Sequence, residues 1–115
     1  QGLSLLGGEP FLNTGVCLRL VKRVRQEFGR DKDIWCWSGY TFEQLLNGSQ
    51  DKQLLLDKID VLIDGPFRQE EKDLSLAFRG SRNQRVLNVL DSILCSEAIS
   101  WSAHSFREGN RNTAH

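Results

Sequence analysis

The sequence predicts an α/β fold whose strands form a parallel sheet. Three short apolar runs, at residues 3–6, 34–37 and 61–63, alternate with segments in which apolar residues recur at helical spacing. Strands that alternate with helices form βαβ units, which have parallel strands and right-handed crossovers. The 115 residues suffice for one domain with a modest core.

The first predicted strand, at residues 3–6, leads through a turn into a long amphipathic helix. Asn13 or Thr14 can cap the start of this helix. Gly29 stands where a glycine commonly follows the last residue of a helix. The apolar residues that recur at helical spacing are Val16, Leu20, Val21, Val24 and Phe28. We expect these residues to face the core, and the basic residues between them to face solvent.

The second predicted strand, Ile34–Trp37, is rich in β-branched and aromatic residues. Trp35 and Trp37 fall on one face because side chains alternate along a strand, and packing is the expected role of both. Thr41 and Gln44 have the spacing of a capping box, which predicts that a helix begins there. A further short helix is expected before the third strand.

The end of the chain carries a weaker pattern. Residues 86–90 fit either a last strand or a last helix, and periodicity leaves both open. The chain turns polar from residue 100 onward, and residues 91–115 are expected to form a divergent, flexible tail after a core of residues 1–90. His104 and His115 lie in this tail without the spacing of a metal site.

Composition and charge exclude several classes of function. Fifteen Lys and Arg residues balance fifteen Asp and Glu residues, so no net charge attracts nucleic acid or anionic lipid. No apolar run approaches the roughly 18 residues that a membrane span needs. The three widely spaced cysteines do not form a disulfide framework, which favours a reduced, cytoplasmic protein. The chain begins Gln-Gly-Leu, without an initiator Met or a visible targeting peptide, and we expect an internal fragment.

The residues that follow the predicted strands are the candidates for a binding site. Carboxyl ends of parallel strands meet at one edge of the sheet, and ligands of such sheets bind there. Gly7 and Gly8 would let a ligand approach the backbone, Glu9 could pair with an ammonium group, and Pro10 fixes the turn. The alternative is a tight strand-to-helix turn with a solvated carboxylate. The pattern is neither a phosphate loop nor a dinucleotide fingerprint.

Four blocks of sequence together resemble a known family. They read Gly-Leu-Ser-Leu-Leu-Gly-Gly-Glu-Pro, Lys-Asp-Ile-Trp-Cys-Trp-Ser-Gly-Tyr, Ile-Asp-Val-Leu-Ile-Asp-Gly-Pro-Phe and Phe-Arg-Gly-Ser-Arg-Asn-Gln-Arg. In this order and spacing they resemble the activating proteins of anaerobic ribonucleoside-triphosphate reductase, of the radical S-adenosylmethionine superfamily. The resemblance covers roughly residues 1–89, and the role of residues 79–84 within it stays open.

The resemblance implies a partial (β/α) barrel of the radical S-adenosylmethionine type, from which the N-terminal strand or strands are missing. Its cofactors are S-adenosyl-L-methionine and a [4Fe-4S] cluster. In that family one electron passes from the cluster to the sulfonium, which yields methionine and a 5′-deoxyadenosyl radical. The radical takes a hydrogen atom from a glycine of the partner reductase, leaving a glycyl radical. The electron donor is a protein such as flavodoxin or ferredoxin.

The same resemblance assigns cofactor-binding residues but no catalytic or metal-binding residue. Gly7, Gly8 and Glu9 match the motif that holds the methionyl amino group. The later strand ends match positions near the cofactor, on its ribose side, although Pro66 replaces the usual Lys. The expected cofactor-binding residues are Gly7, Gly8, Glu9, Pro10, Ser38 and Asp64.

The cysteines depart from the family pattern. The family binds its cluster through Cys-x3-Cys-x2-Cys, and cluster ligation needs thiolates grouped in space. Cys17 falls in the predicted helix and Cys36 in a buried strand, where both are expected as small core residues, and Cys95 lies outside the match. This chain alone is therefore expected to be inactive. The alternative is a small α/β module that binds a nucleotide or a partner without redox chemistry, and Cys-x3-Cys-x2-Cys just upstream would exclude it.

Overall fold

A four-stranded sheet organises the protein in a computed structural model, which describes residues 2–5, 7–29 and 31–102. The strands, in sheet order, are β1 (Leu3–Leu5), β2 (Ile34–Trp37), β3 (Val61–Asp64) and β4 (Arg85–Asn88). β1, β2 and β3 pair in parallel, which confirms the three predicted strands, and β4 is antiparallel to β3. The fold is mixed α/β with a mostly parallel sheet. Leu6, the predicted end of the first strand, lies outside the described residues.

Four α-helices accompany the sheet in the described part of the chain. They are α1 (Thr14–Phe28), α2 (Phe42–Leu46), α3 (Gln50–Lys58) and α4 (Val89–Cys95). The capping box is confirmed, because Thr41 Oγ1 accepts from the Gln44 N–H and Gln44 Oε1 accepts from the Thr41 N–H. Gly29 ends α1 as expected, with φ of 57° and its N–H bonded to the Arg25 carbonyl.

The buried face of α1 differs from the predicted one. Val21 is buried as expected, but Val16, Leu20 and Phe28 are 41%, 44% and 46% exposed, and Cys17 is the other buried residue of α1. The apolar residues of α1 cover a wider arc than the sheet and α3 can bury. Val16 and Leu20 instead line a groove beside β1, together with Leu12 after the first strand.

The final described segment combines both alternatives that the sequence left open. The strand β4 ends at Asn88, whose side chain accepts from the Asp91 N–H and so caps α4. The predicted boundary between core and tail, after residue 90, falls inside this helix. Beyond it the chain returns antiparallel to β4, with the Trp101 N–H donating to the Val86 carbonyl at 2.9 Å. Residues 103–115, which include His104 and His115, lie outside the described residues.

The two faces of the sheet have separate apolar clusters. The larger cluster lies between the sheet and the helices and includes Cys17 and Cys36, which confirms both as core residues. The smaller cluster, on the other face, consists of Trp35, Val61 and Ile63 with Trp37, Val86 and Trp101 packed against them. The Trp35 and Trp37 rings stack with centroids 6.1 Å apart, as expected for packing residues.

Candidate functional site

The ends of the three parallel strands meet at one edge of the sheet. Glu9 follows β1, Ser38 follows β2, and Gly65 follows β3. The Ser38 hydroxyl donates to Glu9 Oε2 at 2.8 Å, and the Gly65 N–H donates to the Tyr40 carbonyl at 3.0 Å. We call this group, Gly7, Gly8, Glu9, Ser38 and Asp64 with their neighbours, the strand-end site.

The Glu9 carboxylate joins the ends of β1 and β2. Its Oε2 accepts from the Ser38 hydroxyl and, at 3.1 Å, from the Phe11 N–H, and its Oε1 accepts from the Gly39 N–H at 2.6 Å. Pro10, which is buried, begins the short 3₁₀ turn Pro10–Leu12 that presents the Phe11 N–H. Because an ionised carboxylate has about four acceptor positions, three donors leave Glu9 about one more. The carboxylate is therefore anchored, and the alternative of a merely solvated one does not describe it.

The backbone at Gly7 and Gly8 is open. Gly7 has φ of 97°, a conformation that side chains rarely adopt, so glycine is required there. A Cβ atom built on either glycine would meet no atom within 4 Å. This turn therefore leaves space in which a ligand could contact main-chain groups beside Glu9.

Ser38 connects the strand ends and is itself buried. Its hydroxyl donates to Glu9, and its oxygen accepts from the Tyr40 N–H at 3.0 Å. Its main-chain N–H donates to the Ile63 carbonyl of β3. The side chain thus holds Glu9 and the turn after β2 in a fixed relation.

Asp64 is almost fully buried and has partners within the protein. Its Oδ2 accepts from the Phe42 N–H at 2.7 Å, and its two oxygens pair with the Arg85 guanidinium. Arg85 also pairs with Glu43, and this hydrogen bond lowers the pKa of the Glu43 carboxyl. A ligand that contacted Asp64 would compete with these partners, whereas Glu9 and the two glycines offer open positions.

A second hydrogen-bonded group at this edge was not assigned from sequence. Gln84 Oε1 accepts from the Gly80 and Ser81 N–H groups, while its Nε2 donates to the Gly65 carbonyl at 3.0 Å. Asn83 Nδ2 donates to the carbonyl of residue 66 at 2.7 Å. Asn83 and Gln84 belong to the fourth block of the family resemblance, which was the sequence signal for this group. That signal does not indicate which atoms the two side chains bond.

The cysteines do not form a cluster site. Burial raises the pKa values of the Cys17 and Cys36 thiols, so neither readily supplies the thiolate that iron requires. Cys95 is exposed on α4. Among residues 2–5, 7–29 and 31–102, no three His, Cys, Asp or Glu side chains lie together in a way that could hold a metal ion.

The helices of the described residues were compared with the requirements for a membrane span. Within residues 2–5, 7–29 and 31–102, none of the helices has the length and apolar character required to cross a membrane.

Comparison with known proteins shows that the chain is similar to one group. Residues 1–87 match the family described as "4Fe-4S single cluster domain". The chain is 50% identical over 86 residues to the anaerobic ribonucleoside-triphosphate reductase-activating protein of Pasteurella multocida, which covers 73% of this chain and 53% of that protein. Its counterpart from Escherichia coli K12 is 48% identical over 88 residues, covering 75% and 54%.

A more distant relative extends the match. The protein of the same name from enterobacteria phage T4 is 40% identical over 96 residues, which covers 81% of this chain and 56% of that protein. The chain thus spans about half the length of the curated relatives that it matches. No solved structure matches the chain significantly.

Proposed function

The chain belongs to the 4Fe-4S single cluster domain family, and on that premise we propose that it is part of an activating enzyme of anaerobic ribonucleoside-triphosphate reductase. The relatives at 40–50% identity, which carry that name, support the proposal. The proposed partner is the glycyl-radical subunit of the reductase, with an electron donor such as flavodoxin or ferredoxin. Such an enzyme would work in the cytoplasm.

The proposed cofactor of the strand-end site is S-adenosyl-L-methionine. The open backbone at Gly7 and Gly8, beside a carboxylate with an acceptor position left, is the observation that carries this proposal. When bound and reduced by one electron, the cofactor supplies the chemistry that removes a hydrogen atom from a glycine of the reductase. The proposed frame is a partial (β/α) barrel of the radical S-adenosylmethionine type that continues past β1. β1 lies at the end of the strand order, which agrees with such a continuation.

Each residue of the strand-end site has a proposed role that follows from its contacts. Glu9, held by Ser38 and Gly39, would accept a hydrogen bond from the methionyl ammonium with its remaining acceptor position. Main-chain groups at Gly7 and Gly8 would bond the rest of the methionyl moiety, and Pro10 keeps the turn in place. Asp64, whose oxygens are bonded by Arg85 and the Phe42 N–H, would lie near the ribose side and would act by anchoring the turn that leads into α2.

The iron–sulfur cluster does not fit the residues of this chain. Two of the three thiols are buried in the core with raised pKa values, and the third lies on α4. We therefore propose that the cluster's thiolates come from a Cys-x3-Cys-x2-Cys segment of the full-length protein. The chain's own part is to bind and orient S-adenosyl-L-methionine.

Titration of S-adenosyl-L-methionine into the full-length protein and its Glu9→Gln variant tests this assignment. A charge-assisted hydrogen bond contributes about 1.5–3 kcal/mol, so we expect the variant to bind about ten- to a hundredfold more weakly. Glu27→Gln, which changes an exposed carboxylate of α1, is the matched control and should bind like the wild type. Equal dissociation constants for all three proteins would refute the role of Glu9. Absence of cofactor binding in the wild type, with binding of another nucleotide, would favour a module without redox chemistry.

A further inference from the structure

A continuous series of hydrogen bonds joins the strand ends to the segment before β4. Glu9 accepts from the Ser38 hydroxyl at 2.8 Å, and Ser38 Oγ accepts from the Tyr40 N–H at 3.0 Å. The Tyr40 carbonyl accepts from the Gly65 N–H at 3.0 Å, and the Gly65 carbonyl accepts from Gln84 Nε2 at 3.0 Å. The Ser38–Tyr40 bond lies within the turn after β2, and the other three bonds each join two different segments of the same edge. The conformation of one turn is thereby tied to that of the next.

Gln84 uses both ends of its amide in this series. Its Oε1 accepts from the Gly80 N–H at 2.9 Å and from the Ser81 N–H at 3.2 Å, while Nε2 donates to Gly65. The side chain is buried, and the Arg79 guanidinium donates to its main-chain carbonyl. An amide both accepts and donates, whereas a carboxylate only accepts. Glutamine therefore suits a position that must bond N–H groups on one side and a carbonyl on the other.

The turn that Gln84 holds has an unusual backbone. Gly65 has φ of 94°, so its carbonyl points in a direction that other residues rarely allow. Asn83 bonds the next carbonyl, that of Pro66, at 2.7 Å, and its Oδ1 accepts from the Ser81 hydroxyl. Two adjacent carbonyls after β3 are thus held by two adjacent amide side chains.

From this geometry we infer that Gln84 is a positioning residue of the strand-end site. It fixes the Gly65 carbonyl, and through Tyr40 and Ser38 it sets the position of the Glu9 carboxylate. The cofactor part of this inference rests on the proposed function. The coupling between Gln84 and the turn after β2 does not, because the hydrogen bonds alone carry it.

The Gln84→Glu variant of the full-length protein removes the hydrogen bond that Gln84 donates but keeps those that it accepts. The variant keeps an acceptor for the Gly80 and Ser81 N–H groups but places a carboxylate oxygen against the Gly65 carbonyl. We expect faster amide hydrogen exchange at Tyr40 and about three- to tenfold weaker binding of S-adenosyl-L-methionine, the loss expected from one weakened hydrogen bond. Gln53→Glu is the matched control, because Gln53 Nε2 donates to the Leu46 and Gly48 carbonyls away from this edge.

The two measurements distinguish failure of this inference from failure of the proposed function. Exchange at Tyr40 that is as slow in Gln84→Glu as in Gln53→Glu overturns the inference, whatever the titration gives. Faster exchange with an unchanged dissociation constant also overturns it, since Gln84 would then be scaffold only. If the wild type binds no cofactor, the proposed function fails, and faster exchange at Tyr40 still supports the coupling.

Discussion

Glu43 and Asp64 share the Arg85 guanidinium but differ in exposure. The Asp64 side chain is 1% exposed, whereas 54% of the Glu43 side chain is exposed. Removing the partner of a buried carboxylate costs about 3–5 kcal/mol, whereas an exposed ion pair contributes about 0–1 kcal/mol. Arg85 therefore stabilises the fold mainly through Asp64, which also bonds the Phe42 N–H. Glu43 extends the pair to the surface, where solvent screens it.

The Glu43 carboxyl gives the fold a dependence on pH that can be measured. The hydrogen bond from Arg85 lowers its pKa from the ordinary 4.5. Glu43 therefore stabilises the fold above that value, and its contribution is lost as the pH falls through the lower folded-state pKa. We expect Glu43→Gln to lower the free energy of unfolding in urea by under about 1 kcal/mol at neutral pH, and by less at about pH 3. If the difference in the free energy of unfolding between variant and wild type is as large at about pH 3 as at neutral pH, the prediction is contradicted.

The location of the strand-end site was predictable from sequence, but its contacts were not. Glycine and a carboxylate after an apolar run place Glu9 at the carboxyl edge of a parallel sheet, which the structure confirms. Its bonds to Ser38 and Gly39, some thirty positions further along, depend on side-chain geometry that spacing does not encode. The same holds for Gln84, whose amide bonds the main chain across a long loop.

Among the elements, the predicted positions of the parallel strands were more accurate than the predicted buried face of α1. The parallel strands were predicted because strands buried on both faces have continuous apolar sequences, as β2 and β3 do. For α1 the apolar residues exceed one face, and tertiary packing decides which of them are buried. β4 and α4 were ambiguous because they follow one another without a break, and Asn88 marks the change.

The groove beside β1 predicts self-association of the isolated chain. Leu12, Val16 and Leu20 are exposed next to an edge strand, and exposed edges with apolar neighbours promote pairing between chains. We expect the chain to elute larger than a monomer in size-exclusion chromatography, and Leu20→Lys to shift it toward the monomer. Leu94→Lys, which changes an exposed leucine of α4, is the matched control and should not shift it. A monomeric wild type would contradict the prediction.

At the scale of the whole molecule, the family was identifiable from four blocks, while the extent of the sheet was not. The first three blocks contain the ends of β1, β2 and β3, and the fourth contains Gln84, which bonds the turn after β3. The blocks therefore indicate where the strand-end site lies, but not how many strands the sheet has. The proposed barrel depends on pairing along the outer edge of β1, and β1 ends the strand order within the described residues. The segment after β4 adds a pairing at residues 99–101 that its polar composition did not indicate.

The distribution of the cysteines predicts that this chain alone holds no stoichiometric iron–sulfur cluster. Cys17 and Cys36 belong to the core between sheet and helices, and burial keeps both thiols protonated at neutral pH. Bringing them to one cluster with Cys95 of α4 would require unfolding that core. Anaerobic reconstitution followed by iron and sulfide analysis should give far less than the about four irons per chain of a complete cluster. Cys95→Ser is the control for iron held loosely by the exposed thiol. About four irons per chain, lost on Cys17→Ser as well as on Cys95→Ser, would show instead that the core opens and that all three thiols hold a cluster.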